Sequence, residues 1–188
     1  MPTTARGYRY PASTDQPRVW EDMLDLASDI DADITASLRV RVCKLAGQAA
    51  QSIPDNVDTV VSFGSGSEEI KTDASWHSTT VNPTRVTVDV AGFVEVTAQA
   101  AIAFSSTLEH ADVAIRKNGT ASWRSGNVTP TQTNNVNRHV GSLTETTACA
   151  PGDYFEMSVL QNSTGNAAQT LNTGGAGTRL TVRYLGPA

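Results

Sequence analysis

The chain has 188 residues with a formal net charge of −5, and 39% of the residues are hydrophobic. This content suffices for a folded domain and excludes a disordered chain, while the net acidity argues against a nucleic-acid partner. We expect no membrane insertion, because no run approaches the roughly 18 apolar residues of a membrane span. The first residues also lack the apolar segment of a signal peptide.

The first 16 residues form a segment rich in arginine, tyrosine and proline: Arg6, Tyr8, Arg9, Tyr10 and Pro11. The proline restricts the tyrosine before it to extended conformations, and tyrosine and arginine are residue types that anchor interfaces. We therefore predict residues 1–16 as an extended arm that inserts into a socket on another protein. The alternative is that the arm packs against the helix that follows it.

Apolar residues recur every three or four positions in the next segment: Val19, Met23, Leu26, Ile30, Ile34 and Leu38. This spacing predicts an amphipathic helix over 17–37 with one apolar stripe. A lone helix of about 20 residues is marginal in water, so the stripe needs a partner. The simplest partner is another copy of the chain, with Met23, Leu26, Ile30 and Ile34 as the contact residues of a stalk.

The predicted helix is strongly acidic on its other face. Seven acidic residues and a single arginine lie between positions 15 and 33. Such a face is either solvated or docks on a basic surface, and the sequence leaves both open.

After the helix the apolar period changes from three or four residues to two, which predicts a β domain over 38–188. The first strand is expected at 38–46, with a longer helix as the alternative. Further strands are predicted at 59–63, 85–90, 93–104, 112–116, 120–123, 138–147, 154–160 and 178–185. Short strands without intervening helices are typical of an antiparallel sandwich or jelly roll. The polar stretches 64–75, 125–137 and 162–177 are expected to be surface loops.

The sequence contains none of the motifs that carry known chemistry. The histidines His77, His110 and His139 are dispersed, and no nucleophile elbow, phosphate loop or paired-cysteine motif occurs. We therefore expect no catalytic residue, no cofactor, no metal site and no enzymatic activity. Cys43 and Cys149 are too few for a disulfide scaffold, and whether they pair stays open.

Two parts of the chain resemble known families. The arm and helix resemble the N-terminus of virion proteins from phages of actinobacteria, through Gly7 to Pro11, Thr14 to Pro17 and Leu24 to Asp31. The β part resembles the trimeric jelly roll of the complement-C1q/TNF type found at the ends of phage fibres. The stretches that carry this second resemblance are Ser52 to Asn56, Thr59 to Phe63, Trp76-His77, Val90 to Val96, Ile115 to Gly119 and Pro151 to Phe155.

The resemblance implies a homotrimeric structural protein of the virion, assembled in the cytoplasm of a bacterial host. Its partners would be its own copies, other virion proteins, and a glycan or protein of the host surface. A minor tail or fibre protein for host attachment is the first expectation, and a capsid decoration or head-fibre protein is the alternative. A free lectin-like binding module is a third hypothesis. Surface binding would be sought near Trp123 and Arg124, beside a long polar loop.

Overall fold

The computed structural model describes residues 19–38, 40–47, 49–103, 108–125, 138–171 and 177–187. The chain separates into two compact units, Met1–Val40 and Arg41–Ala188. The predicted arm, with Arg6, Tyr8, Arg9, Tyr10 and Pro11, lies outside the described residues. No helix in the described part is long and apolar enough to cross a membrane.

The first unit contains helix α1, Val19–Leu38, with Glu21 and Asp22 in its first turn. Both carboxylates lie near the positive end of the helix dipole, which favours them there. The helix continues through Leu38, which follows Ile34 at the four-residue step that most of the stripe has. The strand expected from residue 38 is therefore predicted too early, and it begins at Val42.

The second unit contains twelve strands within its described residues. They are β1 Val42–Ala46, β2 Gln51–Ile53, β3 Thr59–Val60, β4 Glu68–Lys71, β5 Arg85–Thr87, β6 Gly92–Ala103, β7 Leu108–Lys117, β8 Thr120–Arg124, β9 Arg138–Cys149, β10 Tyr154–Ser163, β11 Gln169–Leu171 and β12 Arg179–Gly186.

The strands form two antiparallel sheets. In the seven-stranded sheet β6 pairs with β9 along one side and with β12 and β11 along the other. Strand β11 pairs further with β2, β12 pairs with β1, and β1 pairs with β4. In the five-stranded sheet β10 pairs with β7, β5 and β3, and β7 pairs with β8. The prediction of a mainly β, antiparallel sandwich is confirmed.

The hydrophobic core lies between the sheets. Alternate residues of the long strands point inward and are fully buried, among them Val94, Val96, Leu180, Val182, Phe155, Met157, Val113 and Ile115. Trp76 and Phe63, from the connections outside the long strands, are buried in the same cluster. The two-residue period of the sequence therefore corresponds to the inward and outward faces of the sheets.

Some strands lie in segments that were expected to be loops. Strand β4 falls within 64–75, β11 falls within 162–177, and β10 continues into the latter segment as far as Ser163. Three or four residues are too few for a two-residue period to be visible, and β4 carries charges that form ion pairs, Glu69 with Lys44 and Glu68 with Lys71. The expected loop 125–137 lies, except for Ser125, outside the described residues.

Candidate functional site

The predicted stalk residues are exposed on α1. The exposed fractions are 60% for Met23, 39% for Leu26, 38% for Ile30 and 50% for Ile34. In a single chain this stripe leaves a continuous apolar surface in water, which marks a contact surface more often than an inert one.

Trp123 and Arg124, the residues expected to bind at the surface, are both held within the five-stranded sheet. Trp123 lies opposite Ile115 and packs against the hydrophobic core. Arg124 donates a hydrogen bond to Asp58 Oδ2 at 2.9 Å, and Arg116 donates to the same oxygen at 2.9 Å. The guanidinium of Arg124 therefore shares one carboxylate with Arg116.

A concave site occurs elsewhere, at the connection between β4 and β5. It is a cleft of about 230 Å³, lined by Ser75, Trp76, His77, Ser78, Val81, Asn82, Arg85 and Thr87. These residues come from one segment of the chain and from the start of β5, so that local turns decide the shape of the cleft.

The turn over the cleft is fixed by short-range hydrogen bonds. Ser78 Oγ accepts from the backbone N–H of Thr80 at 3.3 Å and of Val81 at 3.0 Å, in the manner of a serine turn. Asn82 adopts a left-handed conformation with φ of 54°, which asparagine tolerates better than most residues. As a result Val81 stands at the cleft with 67% of its surface exposed.

One side of the cleft rests on Asp89. Its carboxylate accepts from Trp76 Nε1 at 3.0 Å, from Ser75 Oγ at 3.1 Å and from Arg41 at 3.1 Å. The Trp76 hydrogen bond is the largest cause that holds the pKa of Asp89 below its ordinary value, and Ser75 and Arg41 act in the same direction. This carboxylate therefore joins Trp76 of the core to Ser75 and Arg41.

The other side of the cleft contains a buried histidine. His77 Nδ1 lies 2.8 Å from Glu68 Oε1, and its Nε2 lies 3.4 Å from the Pro83 carbonyl oxygen. Lys71 Nζ donates to the same Glu68 oxygen at 2.6 Å. Desolvation raises the pKa of Glu68, but the bonds from Lys71 and His77 outweigh it, and the net shift is downward. Both ring nitrogens face protein acceptors, so His77 is a structural residue.

Arg85 differs from the other charged residues at the cleft. Its guanidinium carbon lies 4.6 Å from the centre of the Tyr154 ring, a cation–π contact. Glu156 is its direct neighbour across the strands, but the Glu156 carboxylate accepts from Thr84 Oγ1 at 2.7 Å. Within the described residues Arg85 makes no ion pair.

The remaining candidates for a chemical site are groups of metal-ligating side chains and the two cysteines. No group of three or more histidine, cysteine, aspartate or glutamate residues that could hold a metal ion occurs in the described part of the chain. Cys43 and Cys149 are free thiols, and burial raises the pKa of Cys43 to about 12. Strands β12 and β6 lie between β1 and β9, so three strand spacings of about 4.8 Å separate the two cysteines, too far for a disulfide.

The solved structures to which the chain is similar include crystal structures of murine APRIL, a TNF-family protein. The structure at pH 5.0 matches with a TM-score of 0.53 and 12% identity, and it covers 78% of this chain and 100% of that one. The β unit is a TNF/C1q-like jelly roll. The structure at pH 8.5 matches with a TM-score of 0.52 and 14% identity, and the match again covers 78% of this chain and 100% of that one. No protein-family model matches the chain, and no curated protein matches its sequence.

The predicted jelly roll is therefore confirmed, while the likeness assigns no ligand at this level of identity. The sequence pointed to Trp123 and Arg124 and missed the cleft. Arg85 and Tyr154 lie 69 positions apart, and only the register between β5 and β10 brings them together. No motif in the sequence marks that register.

Proposed function

We propose that the protein is a homotrimeric structural component of a phage virion, joined to the particle by its N-terminal arm and contacting the host surface with its β unit. The observation that supports this most is an exposed apolar stripe on a helix that precedes a TNF/C1q-like jelly roll. A trimer gives the stripe a partner, because three such helices bury their stripes against one another.

The outer face of the seven-stranded sheet supports self-association independently. Phe93 and Leu185 point away from the core at the neighbouring ends of β6 and β12, and they expose 43% and 48% of their surface. Exposed large apolar residues on one sheet face favour contact with another protein surface. A second copy of the chain is the partner that the apolar stripe of α1 also requires.

The virion location rests on the resemblance of the arm and α1 to phage virion proteins. An arm rich in arginine and tyrosine suits a socket on a neighbouring structural protein. A minor tail or fibre role places the β unit where it meets the host, and three copies of a weak site give useful avidity there.

Two measurements test the proposal. The native mass, by light scattering at micromolar concentration, should be three times that of the chain, and a clean monomer would contradict the trimer. Gold-labelled antibody on purified particles, viewed by electron microscopy, should label the tail end. Label over the capsid would replace host attachment with decoration of the shell, and particles without label would refute the virion role.

A further inference from the structure

The charged side chains around the cleft beside β5 are unevenly paired. Glu68 lies 2.6 Å from Lys71, and Asp89 and Asp73 share Arg41 at 3.1 Å and 3.8 Å. Arg85, which lines the cleft, has only the ring of Tyr154 as a partner within the described residues. The cleft therefore presents one guanidinium that no carboxylate of the described chain neutralises.

The carboxylate nearest to Arg85 in the register of the sheet is directed to another partner. Glu156 stands between Arg85 on β5 and Arg116 on β7 in the register of the five-stranded sheet. It accepts a hydrogen bond from Thr84 and makes no ion pair with Arg85. The Tyr154 ring contacts the guanidinium without accepting from its N–H groups, which leaves these donors for another partner.

We infer that this cleft binds the carboxylate of a sugar acid, with Arg85 as its anchor. The inference rests on the proposed contact with the host surface and names the ligand class as an acidic glycan. A guanidinium binds a carboxylate through two parallel N–H···O bonds, which is the strongest contact that this site offers. Neutral sugars lack the group that Arg85 requires.

The rest of the cleft suits a sugar ring. The side-chain amide of Asn82 and the hydroxyl of Thr87 make no hydrogen bond with any described residue. Ser78 Oγ is already engaged, since it accepts two backbone N–H groups and lies 3.3 Å from Thr80 Oγ1. The amide of Asn82 and the hydroxyl of Thr87 can donate to and accept from ring hydroxyls. Val81 supplies an exposed apolar surface for the C–H face of the ring.

The size of the cleft limits the ligand to one ring. Its volume of about 230 Å³ is smaller than the roughly 300–1,000 Å³ that is usual for drug-sized ligands. A single residue of a polysaccharide enters, and its neighbours stay outside. Binding to one copy is then weak, and a trimer strengthens it through avidity on a polymer.

The test uses the full chain and saturation-transfer NMR with three probes: D-glucuronate, D-glucose and acetate. Glucuronate should give a saturable signal, and glucose and acetate should bind at least about tenfold more weakly, since each lacks one half of the recognised group. Equal binding of glucose would overturn the role of Arg85. Equal binding of acetate would overturn recognition of the sugar.

Variants locate the site on the protein. Arg85→Gln should reduce glucuronate binding at least about tenfold, and Arg85→Lys should retain part of it, because lysine keeps the charge and loses the planar fork. Lys44→Gln is the matched control, since it removes the same charge from a residue paired with Glu69 on the other sheet. Unchanged binding in Arg85→Gln, with native mass preserved, would refute the cleft and leave the trimer and the virion role untouched.

Discussion

At the scale of single residues, the polar side chains near the cleft mostly hold the fold together. Glu68 joins Lys71 and the buried His77, Asp89 joins Trp76 and Arg41, and each carboxylate takes more than one donor. Hydrogen bonds to a carboxylate favour its charged form and thereby lower its pKa. Lowering the pH should therefore reduce the free energy of unfolding of the β unit, because these carboxylates become protonated.

Glu68 gives the first prediction. Its pKa in the folded chain lies below the ordinary value of 4.5, so the stability that it contributes is present above pH 4.5 and is lost as the pH falls through the folded value. Urea unfolding between pH 6 and pH 3 should show a falling free energy of unfolding, and Glu68→Gln should make that fall shallower. An identical acid dependence in the variant and the unmodified protein would contradict the assignment.

The second prediction concerns Gly92, at the start of β6. Its φ is +146°, and a Cβ there would overlap the carbonyl oxygen of Gly186 and lie 2.8 Å from the Tyr184 ring. Gly92→Ala should lower the free energy of unfolding by about 2 kcal/mol, because the end of β12 must move away from β6. Gly64→Ala is the control, since a Cβ at that position meets nothing within 4 Å. Equal urea midpoints for the two variants would show that the close approach is unimportant.

At the scale of secondary-structure elements, the apolar stripe of α1 gives the third prediction. Ile30→Asp places a charge on the stripe, where 38% of the isoleucine is exposed in a single chain. It should shift the native mass from trimer toward monomer, because burying an unpaired carboxylate between helices is costly. Ala32→Asp introduces the same charge on the opposite side of the helix and should leave the mass unchanged. Dissociation by both variants alike would indicate unfolding of the helix and contradict a stripe-specific contact.

The long strands could be predicted from the sequence, whereas the short strands β4 and β11 could not. In β6 and β10 the inward positions alternate over ten or more residues, so one buried face is visible as a two-residue period. In β4 and β11, with four and three residues, no period can develop, and only pairing with neighbouring strands defines them as strands. The sequence places Leu38 equally well at the end of the helix stripe or at the start of a strand, and in the structure it is the last residue of α1.

The cleft shows the same limit at a functional site. Its turn contains recognisable turn residues, among them Ser78 and Asn82, but turn residues alone predict no ligand. Arg85 is distinguished by its two neighbours on β10. The ring of Tyr154 contacts its guanidinium, whereas the carboxylate of Glu156 bonds to Thr84 and makes no ion pair with it. That relation depends on the register between β5 and β10, which a single sequence does not determine.

At the scale of the whole molecule, the proposed division of labour between arm, helix and β unit can be tested by truncation. Deletion of residues 1–16 should leave the native mass at three chains, because the contacts proposed for the trimer lie on α1 and on the seven-stranded sheet. The same deletion should abolish incorporation into particles, measured by immunoblot of purified virions against the full chain. If the truncated chain is monomeric, the arm belongs to the trimer contact itself, and the socket on a neighbouring virion protein has no further support.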